Sequence, residues 1–93
     1  ETVGDPFVYP NPYKESLHKG FPLVIEPVPE DAIEILIVDP AGKLVYQRNV
    51  NPRVSRRFEW YVQDQGIASG LYIYIFKGSG DTKVYSGKIA IIR

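Results

Sequence analysis

The chain has 93 residues, enough for one domain with one core, and a domain of this size buries only about 60–65% of its unfolded surface. Its 11 basic and 11 acidic residues cancel, so no net field would attract a nucleic acid or an anionic membrane. The absence of cysteine excludes disulfides, thiolate metal sites and a cysteine nucleophile, and no apolar run reaches the roughly 18 residues of a membrane helix. Because methionine is also absent, we expect a domain excised from a longer parent protein.

Proline and glycine divide the first third of the chain into short segments. We predict a linker remnant at 1–6 and a single domain at 7–93, which begins with an edge strand at Phe7–Tyr9, a loop or helical turn at 13–20 and a strand at Leu23–Glu26. Pro10 and Pro12 end the first strand, because proline has no N–H to donate to a ladder.

The middle of the chain predicts a hairpin. Alternation indicates a strand at 32–38, with three isoleucines on one face. Asp39 and Gly42 then bracket a tight turn, in which the aspartate bonds the backbone two residues on and the glycine adopts a positive φ. Residues 43–48 are expected to return as the hairpin partner.

The most strand-like run is 71–76, where β-branched and aromatic residues crowd together. We expect its aliphatic face to pack into the core and its aromatic face to be at least half covered. A hairpin loop at 78–81 leads into the last strand at Lys83–Ile92. The alternating side chains of the central run are Leu71, Ile73 and Ile75 on one face, and Tyr72, Tyr74 and Phe76 on the other.

The only tryptophan, Trp60, is expected to anchor the core, as a single tryptophan near a central strand usually does in a sandwich. Asp64 and Gly66 predict a turn after it. Gly70 is expected to permit a close backbone approach or a bulge where the central strand begins. About seven short strands with turns every 8–12 residues predict an all-β fold, an immunoglobulin-like (Ig-like) antiparallel β-sandwich.

No catalytic constellation accompanies these strands, so we predict that the chain is not an enzyme. His18, the only histidine, lies in a polar stretch without metal-ligand partners and is interpreted as a solvated surface residue. Asp39, Asp64 and Asp81 fall in glycine-containing turns. Calcium binding or acid–base work is possible for such carboxylates, but turn capping explains each one.

Two clusters are compatible with binding. The basic one is a solvated loop by default, with an anion or an acidic partner as the alternative; it comprises Arg53, Arg56 and Arg57. The aromatic one is expected to be cross-strand packing, with an exposed platform for a sugar or a protein as the alternative; it comprises Tyr46, Tyr72, Tyr74, Phe76 and Tyr85.

The order and spacing of several short motifs, from about residue 8 to residue 93, resemble type IX secretion sorting domains and the related Ig-like domain of the flagellar hook-capping protein. The family usually has Asp-Gly directly after the tryptophan, where this chain has Tyr61 and Val62. The motifs are Tyr9-Pro10-Asn11-Pro12, Pro27-Val28-Pro29-Glu30, Asp39, Gly42-Lys43-Leu44-Val45, Trp60, Asp64, Gly66, Ala68-Ser69-Gly70, Leu71-Tyr72 and Gly87-Lys88-Ile89.

This resemblance implies a non-catalytic C-terminal module without a cofactor, which sorts a secreted bacterial protein to the cell surface. Its implied partners are the outer-membrane translocon proteins and the parent protein upstream. We expect recognition of a folded surface in two stretches, Tyr9, Pro10, Asn11 and Pro12 near the start and Gly87, Lys88 and Ile89 in the last strand.

Two hypotheses from other classes stay open. One is a carbohydrate-binding or spacer module of an extracellular enzyme, with the tyrosine face as its ligand surface. The other is a structural Ig-like domain of a surface or appendage assembly, in which an edge strand pairs with a neighbour.

Overall fold

A computed structural model describes residues 5–93, so the first four residues of the predicted linker lie outside the described part. One short helix, α1 at Glu15–His18, occupies the segment predicted as a loop or helical turn, and two 3₁₀ turns lie at Val62–Asp64 and Ser79–Asp81. The strands are β1 Phe7–Tyr9, β2 Tyr13–Lys14, β3 Leu23–Glu26, β4 Glu34–Val38, β5 Leu44–Asn49, β6 Phe58–Trp60, β7 Gly70–Lys77 and β8 Lys83–Ile92.

The strands between residues 5 and 93 form two sheets, which confirms the predicted β-sandwich with eight strands in place of about seven. A three-stranded sheet has the order β1-β3-β6, and a five-stranded sheet has the order β2-β8-β7-β4-β5. Alternate side chains of both sheets fill the space between them, as the two-residue period of a strand requires. The fully buried side chains include Tyr13, Leu23, Ile25, Ile35, Ile37, Trp60, Phe76, Ile89 and Ile91.

β7 is the central strand of the larger sheet, but it faces the opposite way from the prediction. Tyr72, Tyr74 and Phe76 are 6%, 2% and 0% exposed, whereas Leu71 is 47% exposed. The prediction that the aliphatic face lines the core is therefore wrong. Both faces of this strand are apolar, so hydrophobicity alone gives no contrast that would orient it.

β4 begins later than predicted. Ile35 and Ile37 are fully buried, but Ile33 precedes the strand and is 54% exposed, so its predicted place within the strand is wrong. The backbone of Ile33 nevertheless forms hydrogen bonds with two other segments of the chain. Its N–H donates to the Lys77 carbonyl at 2.8 Å, and its carbonyl accepts from the Val50 N–H at 3.0 Å.

β2 is the strand that the sequence did not predict. It runs parallel to β8, with Tyr13 opposite Ile91 and Lys14 opposite Ile92, so the prediction of a wholly antiparallel sandwich is wrong at this edge. Burial of the Tyr13 ring beneath this short pairing explains why two residues beside a proline adopt strand geometry. No helix between residues 5 and 93 is long and apolar enough to cross a membrane.

Candidate recognition site

The side chain of Asn11 joins the beginning of the chain to the last strand. Its Nδ2 donates to the Lys88 carbonyl at 3.2 Å, and its Oδ1 accepts from the Ala90 N–H at 3.0 Å. A carboxamide that offers one donor and one acceptor in this way takes the place of a peptide group in a neighbouring strand. We call this pair of bonds the Asn11 clasp. It brings together the two stretches that the sequence nominated for recognition.

The clasp continues directly into the parallel pairing of β2 with β8. Asn11 bonds at Lys88 and Ala90, and Tyr13 and Lys14 then lie opposite the last two residues of β8. The open edge of β8 is therefore covered from residue 88 onward by the beginning of the chain. Covering an edge in this way withholds its backbone groups from other strands.

The nominated residues differ in accessibility. Asn11, Pro12 and Lys88 are exposed, Tyr9 is 36% exposed, and Pro10 and Gly87 are partly covered. Ile89 is fully buried, so a partner of the folded domain cannot contact it. We define the clasp surface as the four accessible side chains, Tyr9, Asn11, Pro12 and Lys88.

Tyr9 is held in a fixed position on this surface. Its ring stacks on the Phe7 ring with 5.5 Å between centroids, and its hydroxyl donates to the Glu26 carboxylate on the neighbouring strand. That hydrogen bond, with some desolvation, raises the pKa of Tyr9 above its ordinary value. Because Phe7 is itself 56% exposed, β1 presents two adjacent aromatic rings to solvent.

Gly87 has a packing role that the sequence analysis missed. A Cβ built on Gly87 would lie 2.5 Å from the hydroxyl oxygen of Tyr74, which is its cross-strand partner on β7. Such a distance is far inside van der Waals contact. Glycine at this position thus lets the Tyr74 ring lie across β8.

Asp39 and Gly42 form the turn between β4 and β5. The Asp39 carboxylate accepts from the backbone N–H groups of Ala41 at 3.0 Å and Lys43 at 2.8 Å. Gly42 has a φ of 88°, which lies in the left-handed region. The Asp39 carboxylate therefore stabilises its own turn, as the sequence analysis expected of a turn-capping residue.

Asp64, Gly66 and Gly70 lie in or after the connection that follows Trp60. Asp64 ends a 3₁₀ turn whose N-cap has no side-chain hydrogen bond. A Cβ on Gly70 would approach nothing nearer than 3.8 Å, and one on Gly66 would meet nothing within 4 Å. The expected close approach at Gly70 is therefore wrong, while Trp60 itself is buried at 1% exposure.

The aromatic side chains of the two sheets pack against each other, so they form no platform for a sugar. Tyr46 lies 5.5 Å from Trp60 and Tyr74 lies 6.3 Å from Tyr85, measured between ring centroids. Because the inward rings of β7 are buried, the tyrosine face of the carbohydrate-binding hypothesis is not available to a ligand.

The arginine cluster is largely engaged in structural contacts. Arg56 Nε donates to the Val28 carbonyl at 3.0 Å, and Arg57 pairs with Glu59 at 2.9 Å. A groove of about 590 Å³ runs beside this loop, and Arg57 lines it. One guanidinium is therefore held by a backbone carbonyl, and the charge of another is compensated by a carboxylate.

His18 also has a structural contact, which corrects the interpretation of a freely solvated side chain. Its Nδ1 accepts from the Lys14 N–H at 3.0 Å, and its ring lies 5.8 Å from that of Tyr13. Between residues 5 and 93, no group of three or more histidine, cysteine, aspartate or glutamate side chains is arranged to hold a metal.

Arg93 is the residue that sequence reasoning overlooked. Its Nη1 donates to the carbonyls of Gln65 at 2.7 Å and Ile67 at 2.8 Å, and its Nε pairs with Glu15 at 3.3 Å. Its backbone N–H donates to the Ser69 hydroxyl at 2.7 Å. We call this set of contacts the Arg93 clamp. A single arginine carries no sequence signal for it, because most of the acceptors are backbone carbonyls.

Two comparisons relate this architecture to known proteins. A family model described as the secretion system C-terminal sorting domain matches residues 7–92. Among solved structures, the chain is similar to PorZ, described as an essential bacterial surface component of the type IX secretion system of Porphyromonas gingivalis. The identity is 25% and the TM-score is 0.73, over 95% of this chain and 11% of that chain. No curated protein matches the chain.

Proposed function

The chain belongs to the secretion system C-terminal sorting domain family, and we propose that the secretion machinery recognises it through the clasp surface. The match to the family model confirms the resemblance to sorting domains that the sequence indicated. The domain is non-catalytic, and it directs the protein that carries it through the type IX system to the cell surface. Family membership favours this function over the glycan-binding and appendage hypotheses.

The partners that we propose are outer-membrane proteins of the translocon. We also propose that residues 1–6 link a parent protein upstream to a single domain at 7–93. Family membership implies that the domain interacts with secretion machinery, and these proposals name the partners more specifically.

The observation that carries the proposal is the Asn11 clasp. It joins residues that are 77 and 79 positions apart in the sequence, so the surface exists only after the chain has folded. Neither stretch alone presents the Asn11 side chain against Lys88. A partner that reads both stretches together therefore distinguishes a folded cargo terminus from an unfolded one.

The accessible side chains suit such a partner. Tyr9 supplies an aromatic ring whose orientation is fixed by Phe7 and Glu26, so little side-chain entropy is lost on binding. Aromatic residues of this kind commonly dominate binding energy at interfaces. Lys88 adds a positive charge beside the clasp, and it has no carboxylate within 4.0 Å among residues 5–93.

The proposal is tested by secretion of a reporter that carries the full chain at its C-terminus. We expect Tyr9→Ser and Asn11→Ala each to reduce surface reporter severalfold in a strain with an intact type IX system. Tyr61→Ser is the matched control, because Tyr61 is 42% exposed and lies outside the clasp surface. Asn51→Ala is the second control, because the Asn51 side chain also bonds a backbone group: its Oδ1 accepts from the Arg53 N–H at 3.1 Å.

Thermal melting of each purified variant separates lost recognition from lost folding. The proposal requires variants that are still folded at the temperature of the secretion assay and that nevertheless fail to reach the surface. Wild-type secretion by folded Tyr9→Ser and Asn11→Ala variants would contradict it.

A further inference from the structure

The outward surface of the five-stranded sheet is aliphatic where a solvated sheet would be polar. β7 places Leu71, Ile73 and Ile75 on this side because its aromatic residues point inward. Leu71 is 47% and Ile92 is 49% exposed, and the other members are half-buried. We call this surface the outer face, and its apolar centre consists of Leu36, Val38, Leu71, Ile73, Ile75 and Ile92.

Lysines surround this apolar centre. By register, Lys14 lies opposite Ile92, Lys88 lies opposite Ile73, and Lys77 lies opposite Lys83. None of the four has a carboxylate within 4.0 Å among residues 5–93, where the ion pairs are those of Arg57 and Arg93. The acidic strand residue on the same face is Glu34, which lies opposite Lys77 by register and bonds Gln47, so the four lysines face one strand carboxylate. The outer face therefore has a surplus of positive charge, although the whole chain is neutral.

We propose that the outer face docks a protein of the secretion machinery that presents a flat apolar surface edged with carboxylates. This inference rests on the proposed recognition of the folded domain and names the chemistry of the partner. The outer face also adjoins the clasp surface. Asn11 holds the Lys88 carbonyl, while the Lys88 side chain lies on the outer face.

A second copy of the chain fits this surface poorly. Self-association would place the lysines of one copy against those of the other, whereas carboxylates on a different protein would compensate them.

An anionic membrane also fits the outer face less well than a protein partner does. Most of the apolar side chains are half-buried in a sheet and do not project from a loop or a helix. Membrane-surface binding of the amphipathic kind buries a protruding apolar face into the lipid boundary. The face of a sheet instead packs well on another protein surface, as in a sandwich.

The test uses the full chain fused to an exported reporter. We expect the double variant Leu71→Thr with Ile73→Thr, which places a β-branched residue with good strand propensity at both positions, to lower surface reporter by about tenfold, as 1.4 kcal/mol of lost binding would. Lys77→Glu with Lys83→Glu should do the same. The matched controls are Phe21→Thr with Val54→Thr, whose residues are 66% and 82% exposed away from this sheet, and Lys19→Glu with Arg53→Glu.

A photo-crosslinking residue at position 71 tests contact directly, with position 54 as control. A product found only at position 71, and absent from a strain without the translocon, supports the proposal. Folded outer-face variants that secrete normally overturn it, and if Tyr9→Ser and Asn11→Ala still fail, the clasp proposal stands alone.

Two further results would overturn the proposal in favour of another occupant. The first is cosedimentation of the wild-type chain with phosphatidylglycerol vesicles that the Leu71→Thr, Ile73→Thr variant abolishes, without loss of secretion. The second is a dimer, measured by light scattering, that the same variant converts to a monomer.

Discussion

Gly87 lies directly over the hydroxyl of Tyr74, and the space between them is too small for any side chain. A Cβ on Gly87 would be 2.5 Å from the Tyr74 oxygen and 2.6 Å from the ring carbon that bears it. Tyr74 is 2% exposed and lies between the two sheets, so its ring cannot move away without disturbing the core. Gly87 belongs to one of the motifs that resemble sorting domains, and this contact shows that it takes part in the packing of the central strand, β7.

Gly87→Ala should therefore destabilise the domain. Overpacking of this kind typically costs about 1–3 kcal/mol in the free energy of unfolding, which urea denaturation measures. Gly66→Ala is the matched control, since a Cβ there would meet nothing within 4 Å. Equal stability of the two variants would show that the Tyr74 ring does not constrain residue 87.

Asn11 provides a second prediction, because the clasp needs both a donor and an acceptor. Asn11→Ala should lower the free energy of unfolding by about 1 kcal/mol, the net value of one or two exposed hydrogen bonds. Asn11→Asp keeps the acceptor for Ala90 but places a negative oxygen against the Lys88 carbonyl.

The pH dependence separates these two variants. The introduced carboxylate should have a raised pKa in the folded state, so the Asp variant should gain stability relative to the Ala variant as pH falls from this raised pKa to about 4, where the gain is complete. Protonation restores a donor for the Lys88 carbonyl. If the difference in free energy of unfolding between the two variants stayed constant across this pH range, the result would contradict the clasp.

The Arg93 clamp predicts a stability difference between arginine and lysine. Arg93→Ala should cost about 1–3 kcal/mol, because hydrogen bonds from a charged group to the carbonyls of Gln65 and Ile67 are lost. Arg93→Lys should recover only part of this loss, since an ammonium lacks the planar fork of the guanidinium. Amide hydrogen exchange should accelerate at 63–69 in both variants. Unchanged exchange there would exclude the clamp.

Tyr74 predicts a pH effect at the alkaline end. Burial, with the nearby Tyr85 phenol, raises the pKa of Tyr74 from 10.0 to about 12. The folded state therefore holds a proton that the unfolded state loses, so this contribution to stability is complete below pH 10 and declines as pH rises from about 10 to about 12. Spectrophotometric titration of tyrosinate should show a phase near pH 12 that Tyr74→Phe removes. Ionisation of every tyrosine near pH 10 would disagree with this burial.

Much of the fold is predictable because its signals are local. β3 and β8 are confirmed with the predicted bounds, since prolines end the first and a glycine-containing hairpin begins the second. The turn chemistry of Asp39 and Gly42 is equally local. The orientation of β7 was not predictable, because both of its faces are apolar and the deciding contact is with Gly87, on the next strand.

The candidate site was predictable as two motifs but not as one surface. Nothing in the sequence around Asn11 indicates that its amide bonds Lys88 and Ala90, because that pairing depends on how the whole sandwich closes. β2 was missed for the same reason, since its pairing partners lie at the far end of the chain. The Arg93 clamp depends on backbone carbonyls, which every sequence supplies.

The most direct test of the account is a secretion assay with the full 93-residue chain fused to the C-terminus of an exported reporter. The fusion is compared in a strain with an intact type IX system and in an otherwise identical strain that lacks the translocon. We predict that reporter reaches the cell surface only in the intact strain, and that folded Asn11→Ala reaches it severalfold less. Retention of the wild-type fusion in the periplasm of both strains would contradict the assignment of this chain as a sorting domain.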